Sequence, residues 1–483
     1  MQKKTKISKV NEVYIHVDTE DGIARQLWQH FTFEVPNAKF MPSYRSRQWD
    51  GKIRLFDLRD NNLYCGLLPY LEKYLKENNY QYELDKQLKE KDQITNDELY
   101  EFIKSLKLKY EIRDYQFDAV KHAIKNRRAL FLSPTASGKS LIIYCIIVYY
   151  LLKDCRALIL VPTTSLVEQM YKDFIDYGCN KKIMQRIYSG HTKDIDSLIT
   201  ISTWQSIYKL NKDWFDQFDI VIGDEAHLFK AKSLTSILTK MVDCVYRFGL
   251  TGTLDGSETN KLVLEGLFGS VKKVTTTKEL MDNNTVAKLS INCIVLKYDS
   301  VACKEIKGMN YQQEIEYIVQ NQKRNLFILN LAKHLKGNTL ILFQLVEKHG
   351  KPLHELAEKT IQKNVYFVYG GVKTNTREEI RSIVENSDDS IILASYGTFS
   401  TGINIKNLHN VIFASPSKSK IRVLQSIGRG LRTSESKTDA VLYDIADDIS
   451  CKGKPNFTLN HFVKRIEYYN VEQFDYKIDT VSL

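Results

Sequence analysis

Two parallel-sheet α/β domains in tandem, preceded by a small α+β domain, are the fold that this 483-residue sequence predicts. Three observations lead there. The chain is too long for a single core, which stops growing near ~250–300 residues. From Ile112 onward, short apolar runs alternate with segments long enough for helices, the rhythm of a parallel sheet covered on both faces. That rhythm lapses around Asp282–Asn284 and then starts again.

Residues 1–105 have a different texture. Val13–Val17 and Lys52–Phe56 alternate as half-buried strands do, and Pro69–Asn78 reads as a helix. The charged run Asp85–Glu98 serves as an exit linker. The first α/β domain, residues 106–285, has strands at Ala129–Leu132, Ala157–Val161, Leu198–Ile201 and Ile220–Ile222. The second, residues 286–448, has them at Thr339–Phe343, Val365–Val368, Ile391–Ala394, Val411–Phe413 and Ala440–Tyr443. A tail, residues 449–483, carries no readable motif, although Phe462–Tyr469 has the pattern of a helix that packs on the second domain.

Composition sets the class. A hydrophobic fraction of 43% and a charged fraction of 26% fit a water-soluble globular protein. The excess of 69 Lys and Arg over 58 Asp and Glu, a net +11, favours a polyanionic partner, a signal shared with many proteins that bind none. The eight cysteines show no zinc-ligand spacing and read as free thiols in a reducing cytoplasm. Leu141–Leu152, the longest apolar stretch, falls short of the ~18 residues a membrane span needs and reads as a buried helix. The basic Met1–Lys4 is followed by no apolar run of a signal peptide. A cytoplasmic protein without membrane contact is expected.

The strand Ala129–Leu132 runs into Ser133-Pro-Thr-Ala-Ser-Gly-Lys-Ser140, which opens the apolar helix. Small residues (Thr135, Ala136, Ser137, Gly138) let backbone N–H groups turn inward around phosphate, and the helix N-terminus favours the anion. Lys139 reaches the β and γ phosphates of ATP, and the Ser140 hydroxyl is a ligand for Mg²⁺. The general pattern has Gly where this chain has Ser133, a departure of one residue. About eighty residues on, Ile220-Val-Ile-Gly-Asp-Glu-Ala-His227 ends an apolar strand in two carboxylates, at the sheet edge where open α/β folds bind ligands. Asp224 is placed to hold Mg²⁺ and Glu225 to polarise the attacking water. His227 alone reads as structural.

Asp-Glu-Ala-His after a P-loop resembles the signature of superfamily-2 helicases, and further segments follow in that family's order. The resemblance implies two RecA-like motor domains that close on ATP. It makes Arg113 and Gln116 of Ile112-Arg-Asp-Tyr-Gln116 readers of adenine. It puts Pro162 and Thr163 of Val161-Pro-Thr-Thr164, and Thr203 of Ser202-Thr-Trp204, on the nucleic-acid backbone. Leu250-Thr-Gly-Thr253 becomes the element coupling hydrolysis to movement.

The second domain answers the first. Ser419–Arg432 reads as a helix, with Gln425, Arg429 and Arg432 at i, i+4 and i+7 on one face. The resemblance makes Arg429 and Arg432 arginine fingers, placed to stabilise transition-state charge. It sets Gly402 and Asn404 near the ATP ribose and phosphates and makes Ser395 a contact to the strand.

The whole chain is similar to the UvsW family, recombination and repair helicases of T4-type phages, including at Trp49-Asp-Gly-Lys-Ile-Arg-Leu55 and Ser395–Gly402. That likeness implies a DNA partner that is branched, forked or duplex, or an RNA–DNA hybrid in an R-loop, and leaves the protein partners and a monomeric state open. Independently, Arg45, Arg47, Lys52 and Arg54 interleave with Tyr44, Trp49 and Phe56, a mixture that neutralises phosphates and stacks bases. The competing reading makes Trp49 and Phe56 core and the arginines solubilising. Motor motifs grip the backbone and so also admit an RNA helicase. The same motifs would serve the motor of a restriction complex, or an ATP-dependent nucleic-acid clamp that does not unwind.

Overall fold

The computed structural model describes residues 4–483 apart from 37, 229–230, 255–256, 403–404, 406, 418, 420–422, 425, 429–438 and 452. The chain divides into two compact units, Met1–Ser133 with Gly138–Val274, and Pro134–Ser137 with Thr275–Leu483.

The first unit begins with a five-stranded mixed sheet: β1 (Thr5–Lys9), β2 (Tyr14–Asp18), β5 (Phe56–Asp57), β6 (Asn62–Tyr64) and β7 (Tyr82–Leu84). Its spatial order is β5-β6-β2-β1-β7, with only β1 and β7 parallel. A separate antiparallel pair, β3 (Thr32–Glu34) and β4 (Lys52–Arg54), carries a long excursion between its strands. This is the small α+β domain expected from the sequence.

Seven strands follow in one parallel sheet: β8 (Arg128–Leu132), β9 (Ala157–Val161), β10 (Met184–Ile187), β11 (Ile199–Thr203), β12 (Ile220–Gly223), β13 (Tyr246–Thr251) and β14 (Val271–Lys273). Their order is β10-β11-β9-β12-β13-β8-β14. The central strands are buried throughout, which is why β9 and β12 read as unbroken apolar runs. The helix Lys139–Leu151 is apolar nearly all round because it lies inside this core.

The small domain and this sheet share one apolar core. Ile15, Leu27, Leu63 and Leu71 belong to the same buried cluster as Leu130, Leu160, Val221 and Phe268. Approach is close enough that a Cβ on Gly66 would lie 1.9 Å from the Glu265 carbonyl oxygen. Tyr70 donates to the Glu265 carboxylate at 2.7 Å, and Arg128 donates to the Glu12 carbonyl at 3.0 Å. The stretch Asp85–Glu98, expected as a linker, is tied down. Asp92 accepts from Arg127 at 2.6 Å, and Thr95 and Glu98 cap the helix Asn96–Ser105 reciprocally. Leu99 and Ile103 of that helix enter the core around Phe131 and Ile142.

The second unit has its own seven-stranded parallel sheet: β15 (Lys288–Lys297), β16 (Thr339–Phe343), β17 (Val365–Val368), β18 (Ile391–Ser395), β19 (Asn410–Phe413), β20 (Asp439–Asp448) and β21 (Tyr476–Ser482). Their order is β17-β18-β16-β19-β20-β15-β21. The expected tail is thus part of the sheet, since β21 pairs with β15 from Ile291 to Lys297. The helix Phe457–Val471 packs beside β20, with its Arg465 fully buried against Asp444 at 2.7 Å. Among the described residues no helix is long and apolar enough to cross a membrane.

Candidate ATP site and nucleic-acid interface

The site is built at the carboxyl ends of the first seven-stranded sheet, where the strands β8, β12 and β13 end side by side. After β8 the chain turns through Ser133–Gly138 into the helix that opens at Lys139 and Ser140. Ala136 and Gly138 adopt left-handed backbone, with φ of 67° and 79°. Such residues turn consecutive N–H groups to one side and form an anion cradle. Ser133 has no positive φ, and its N–H donates to the Thr251 carbonyl at 2.8 Å. Glycine is therefore not required there, which accounts for the departure from the general P-loop pattern. Ser137 Oγ donates back to the Pro134 carbonyl at 2.7 Å and steadies the loop.

β12 delivers the two carboxylates. Asp224 is buried, its N–H donates to the Leu160 carbonyl at 2.9 Å, and its Oδ1 accepts from the Glu225 N–H at 2.9 Å. Burial, and after it the neighbouring Glu225 charge, raises the Asp224 carboxyl well above the usual carboxylate range, with Lys139 opposing. Glu225 has a φ of 51°, and its Oε1 accepts from Lys139 Nζ at 3.0 Å. The Lys139 ammonium and the Glu225 carboxylate therefore neutralise each other in a half-buried pair.

Two further residues complete this face. Gln116 is buried, accepts the Arg113 N–H at 3.0 Å, and lies so near the loop that a Cβ on Gly138 would meet its amide nitrogen at 2.3 Å. The adenine-reading candidates thus stand against the phosphate loop, and Arg113 Nη1 donates to the Tyr115 hydroxyl at 2.8 Å. His227 is buried, with Nδ1 2.7 Å from Thr251 Oγ1, while that hydroxyl donates to the Thr253 carbonyl at 2.8 Å. One hydroxyl has one proton, so His227 Nδ1 carries its own and donates. The acid strand is thereby joined to the Leu250–Thr253 element.

Of the residues expected to touch nucleic acid, Thr163 caps the helix Thr164–Asp176, accepting from the Leu166 N–H at 3.3 Å. Thr203 ends β11 and pairs with Ser206 Oγ at 2.8 Å. Gln205, which motif reasoning passed over, joins these two loops by donating to the Pro162 carbonyl at 3.0 Å. Its signal in the sequence is only its position one residue beyond Ser202-Thr-Trp204.

In the small domain, Phe56 is core and Trp49 is half-buried, with its indole N–H donated to the Lys52 carbonyl at 2.8 Å. Arg54 is paired with Asp50 and lies over the Trp28 ring, and Lys52 stands 4.0 Å from Glu34. Arg45 and Arg47 are exposed and have no ion-pair partner among the described residues. In the second unit, Ser395 ends β18 with Oγ 2.8 Å from Thr398 Oγ1, and Gly402 closes the helix Tyr396–Gly402. Asn404, Gln425, Arg429 and Arg432 lie outside the described residues.

Two tandem parallel-sheet units, one bearing a P-loop joined to Asp-Glu-Ala-His, define a superfamily-2 helicase. Residues 109–256 match the family model of the type III restriction enzyme res subunit, and 321–434 that of the helicase conserved C-terminal domain. Residues 5–85 match the N-terminal domain model of the DNA helicase UvsW. The chain is 37% identical to the ATP-dependent DNA helicase uvsW of Enterobacteria phage T4, across 97% of this chain and 98% of that one. The crystal structure of T4 UvsW matches 99% of this chain and 100% of its own, at 35% identity and a TM-score of 0.54. The DNA 3'-5' translocase XPB2 of Sulfurisphaera tokodaii is 25% identical across 74% of this chain and 85% of its own. The chain belongs to the UvsW family of ATP-dependent DNA helicases.

Proposed function

We propose that this protein couples ATP hydrolysis to the remodelling of branched DNA, by branch migration, fork regression and R-loop unwinding, in phage recombination, repair and replication within the host cytoplasm. The observation that carries the reading is a complete phosphate-and-acid site, with Lys139 held 3.0 Å from Glu225, in a chain akin over its full length to a phage DNA helicase.

Thr135–Gly138 cradle the phosphates, and Lys139 leaves Glu225 for the β and γ oxygens. That exchange frees Glu225 to polarise the attacking water. Mg²⁺ neutralises phosphate charge when bound, and Ser140 and Asp224 supply the hydroxyl and carboxylate oxygens that such a hard cation takes. Arg113 and Gln116 hold adenine; Gly402 and Asn404 meet the nucleotide from the second domain. Gln425, Arg429 and Arg432 bring the remaining charge to the transition state. Pro162, Thr163, Thr203 and Ser395 grip the strand backbone, and Arg45, Arg47, Lys52, Arg54 and Trp49 form the duplex-binding face of residues 1–105. The first motor domain spans 106–285, and the second begins at 286 and takes in 449–483, whose β21 pairs with β15.

The test is ATP hydrolysis stimulated separately by single-stranded DNA, duplex, four-way junction, RNA and an R-loop, with Lys139→Ala as control. Greatest stimulation by branched DNA, lost in the variant, is expected. Stimulation by RNA alone would overturn the substrate while leaving the motor.

A further inference from the structure

The excursion between β3 and β4 is folded on itself. Its neck closes by the Val35 N–H to the Gly51 carbonyl at 2.8 Å. Inside, Ser46 N–H donates to Pro42 at 2.8 Å, and Gln48 and Trp49 N–H groups both donate to Ser43, at 3.0 and 3.2 Å. Gly51, with φ of 81°, seats the Tyr44 ring so closely that a Cβ there would lie 3.1 Å from it. This is a braced protrusion.

What it presents is unusual. Phe40 is 60% exposed, Met41 39% and Tyr44 41%, three large apolar side chains within five residues. Scattered single exposures are ordinary, whereas a cluster marks a contact surface. A phenyl ring left in water forgoes burial that a partner can supply. The surroundings say which partner. Lys39, Arg45 and Arg47 flank the cluster, and Asp50, the one acid between residues 35 and 51, is already paired with Arg54. An apolar tip in a cationic collar complements a stacked base pair bounded by phosphates.

We propose that Phe40 and Met41 form the strand-separating wedge, stacking on the terminal base pair where duplex meets single strand, while Arg45 and Arg47 hold the flanking phosphates. The inference rests on the branched-DNA reading above. It divides labour within one excursion: the cations bind and the apolar tip splits.

The full-length Phe40→Ala/Met41→Ala protein tests it on a forked DNA duplex carrying 2-aminopurine at the junction pair. Unwinding is expected to fall at least about tenfold, with forked-DNA affinity and DNA-stimulated hydrolysis held within about threefold. The junction probe should brighten on binding of the natural protein without ATP and stay dark with the variant. Phe40→Trp, which keeps a stacking ring, should retain unwinding. Unwinding unchanged in the double variant would overturn the wedge, as would affinity falling in step with unwinding, since the tip would then merely grip. If the natural protein shows no DNA-stimulated hydrolysis, the failure belongs to the substrate reading.

Discussion

Counted along the chain from β8 and from β15, the two seven-stranded sheets have the same spatial order, 3-4-2-5-6-1-7, yet their corresponding strand ends carry opposite chemistry. After the first strand of the first sheet the chain turns through the P-loop, with Ala136 and Gly138 in left-handed backbone. After β15, the second places Asp299, whose carboxylate accepts from the Val301 and Ala302 N–H groups at 3.0 and 2.8 Å and caps its helix. A phosphate arriving there would meet a carboxylate already using those donors. After the fifth strand, the first unit presents Asp224 and Glu225; the second presents Ser415, whose Oγ lies 2.9 Å from His349 Nδ1. Ion pairs differ in the same sense. Lys139 and Glu225 are 13% and 20% exposed, whereas Arg324 with Asp447 and Arg465 with Asp444 are sealed. One scaffold thus carries an ion pair left partly open to water and two that are shut away from it.

The sharpest test separates these two uses. Asp447→Ala leaves Arg324 buried without its carboxylate and should cost about 4 kcal/mol of stability in the second unit, read by denaturant unfolding. Glu225→Gln should do the reverse, cutting ATP turnover by about 10²-fold or more while moving stability by less than about 1 kcal/mol. Similar stability losses in both variants would dissolve the distinction.

Acid should find the second unit through His349. Burial, with Arg324 adding to it, lowers this imidazole to about 3. A histidine lowered in the folded state contributes stability that is complete above its unfolded value near ~6.5 and fades as pH falls toward the folded one. Between pH 7 and 5 the loss should be about 2 kcal/mol, and His349→Asn should remove that slope. The smallest effect belongs to the phosphate loop. Ala136→Gly relieves a left-handed φ of 67° and should change stability by about 1 kcal/mol or less, measured without nucleotide.

The residues most legible in the sequence are those whose chemistry fixes both type and spacing. Ser133–Ser140 and Asp224–Glu225 stand where strand-then-loop reasoning puts them. The same reasoning missed β13, because Arg247 interrupts its apolar run. That guanidinium is fully buried and donates to the carbonyls of Leu267, Met241 and Leu238, a neutral solution no local pattern reveals. β21 was hidden for another reason: an edge strand that is mostly exposed has no need of an apolar run. Thr95 and Glu98 did carry a readable capping-box signature inside the supposed linker. In the basic excursion, composition alone did not separate Arg54, held by Asp50, from Arg45 and Arg47.

The placement of β15 has a consequence for the order in which the molecule is made. This strand lies between β20 and β21, so its partners are residues 439–448 and 476–482. Until those are synthesised, a ten-residue strand has neither neighbour, and closing the sheet waits on contacts spanning well over a hundred residues. The small domain and the P-loop sheet can meanwhile complete their shared core apart from the short loop tip. A nascent chain therefore closes the core beneath its P-loop long before the second sheet can close, and a stall before residue 439 would strand β15 as an open edge inviting aggregation.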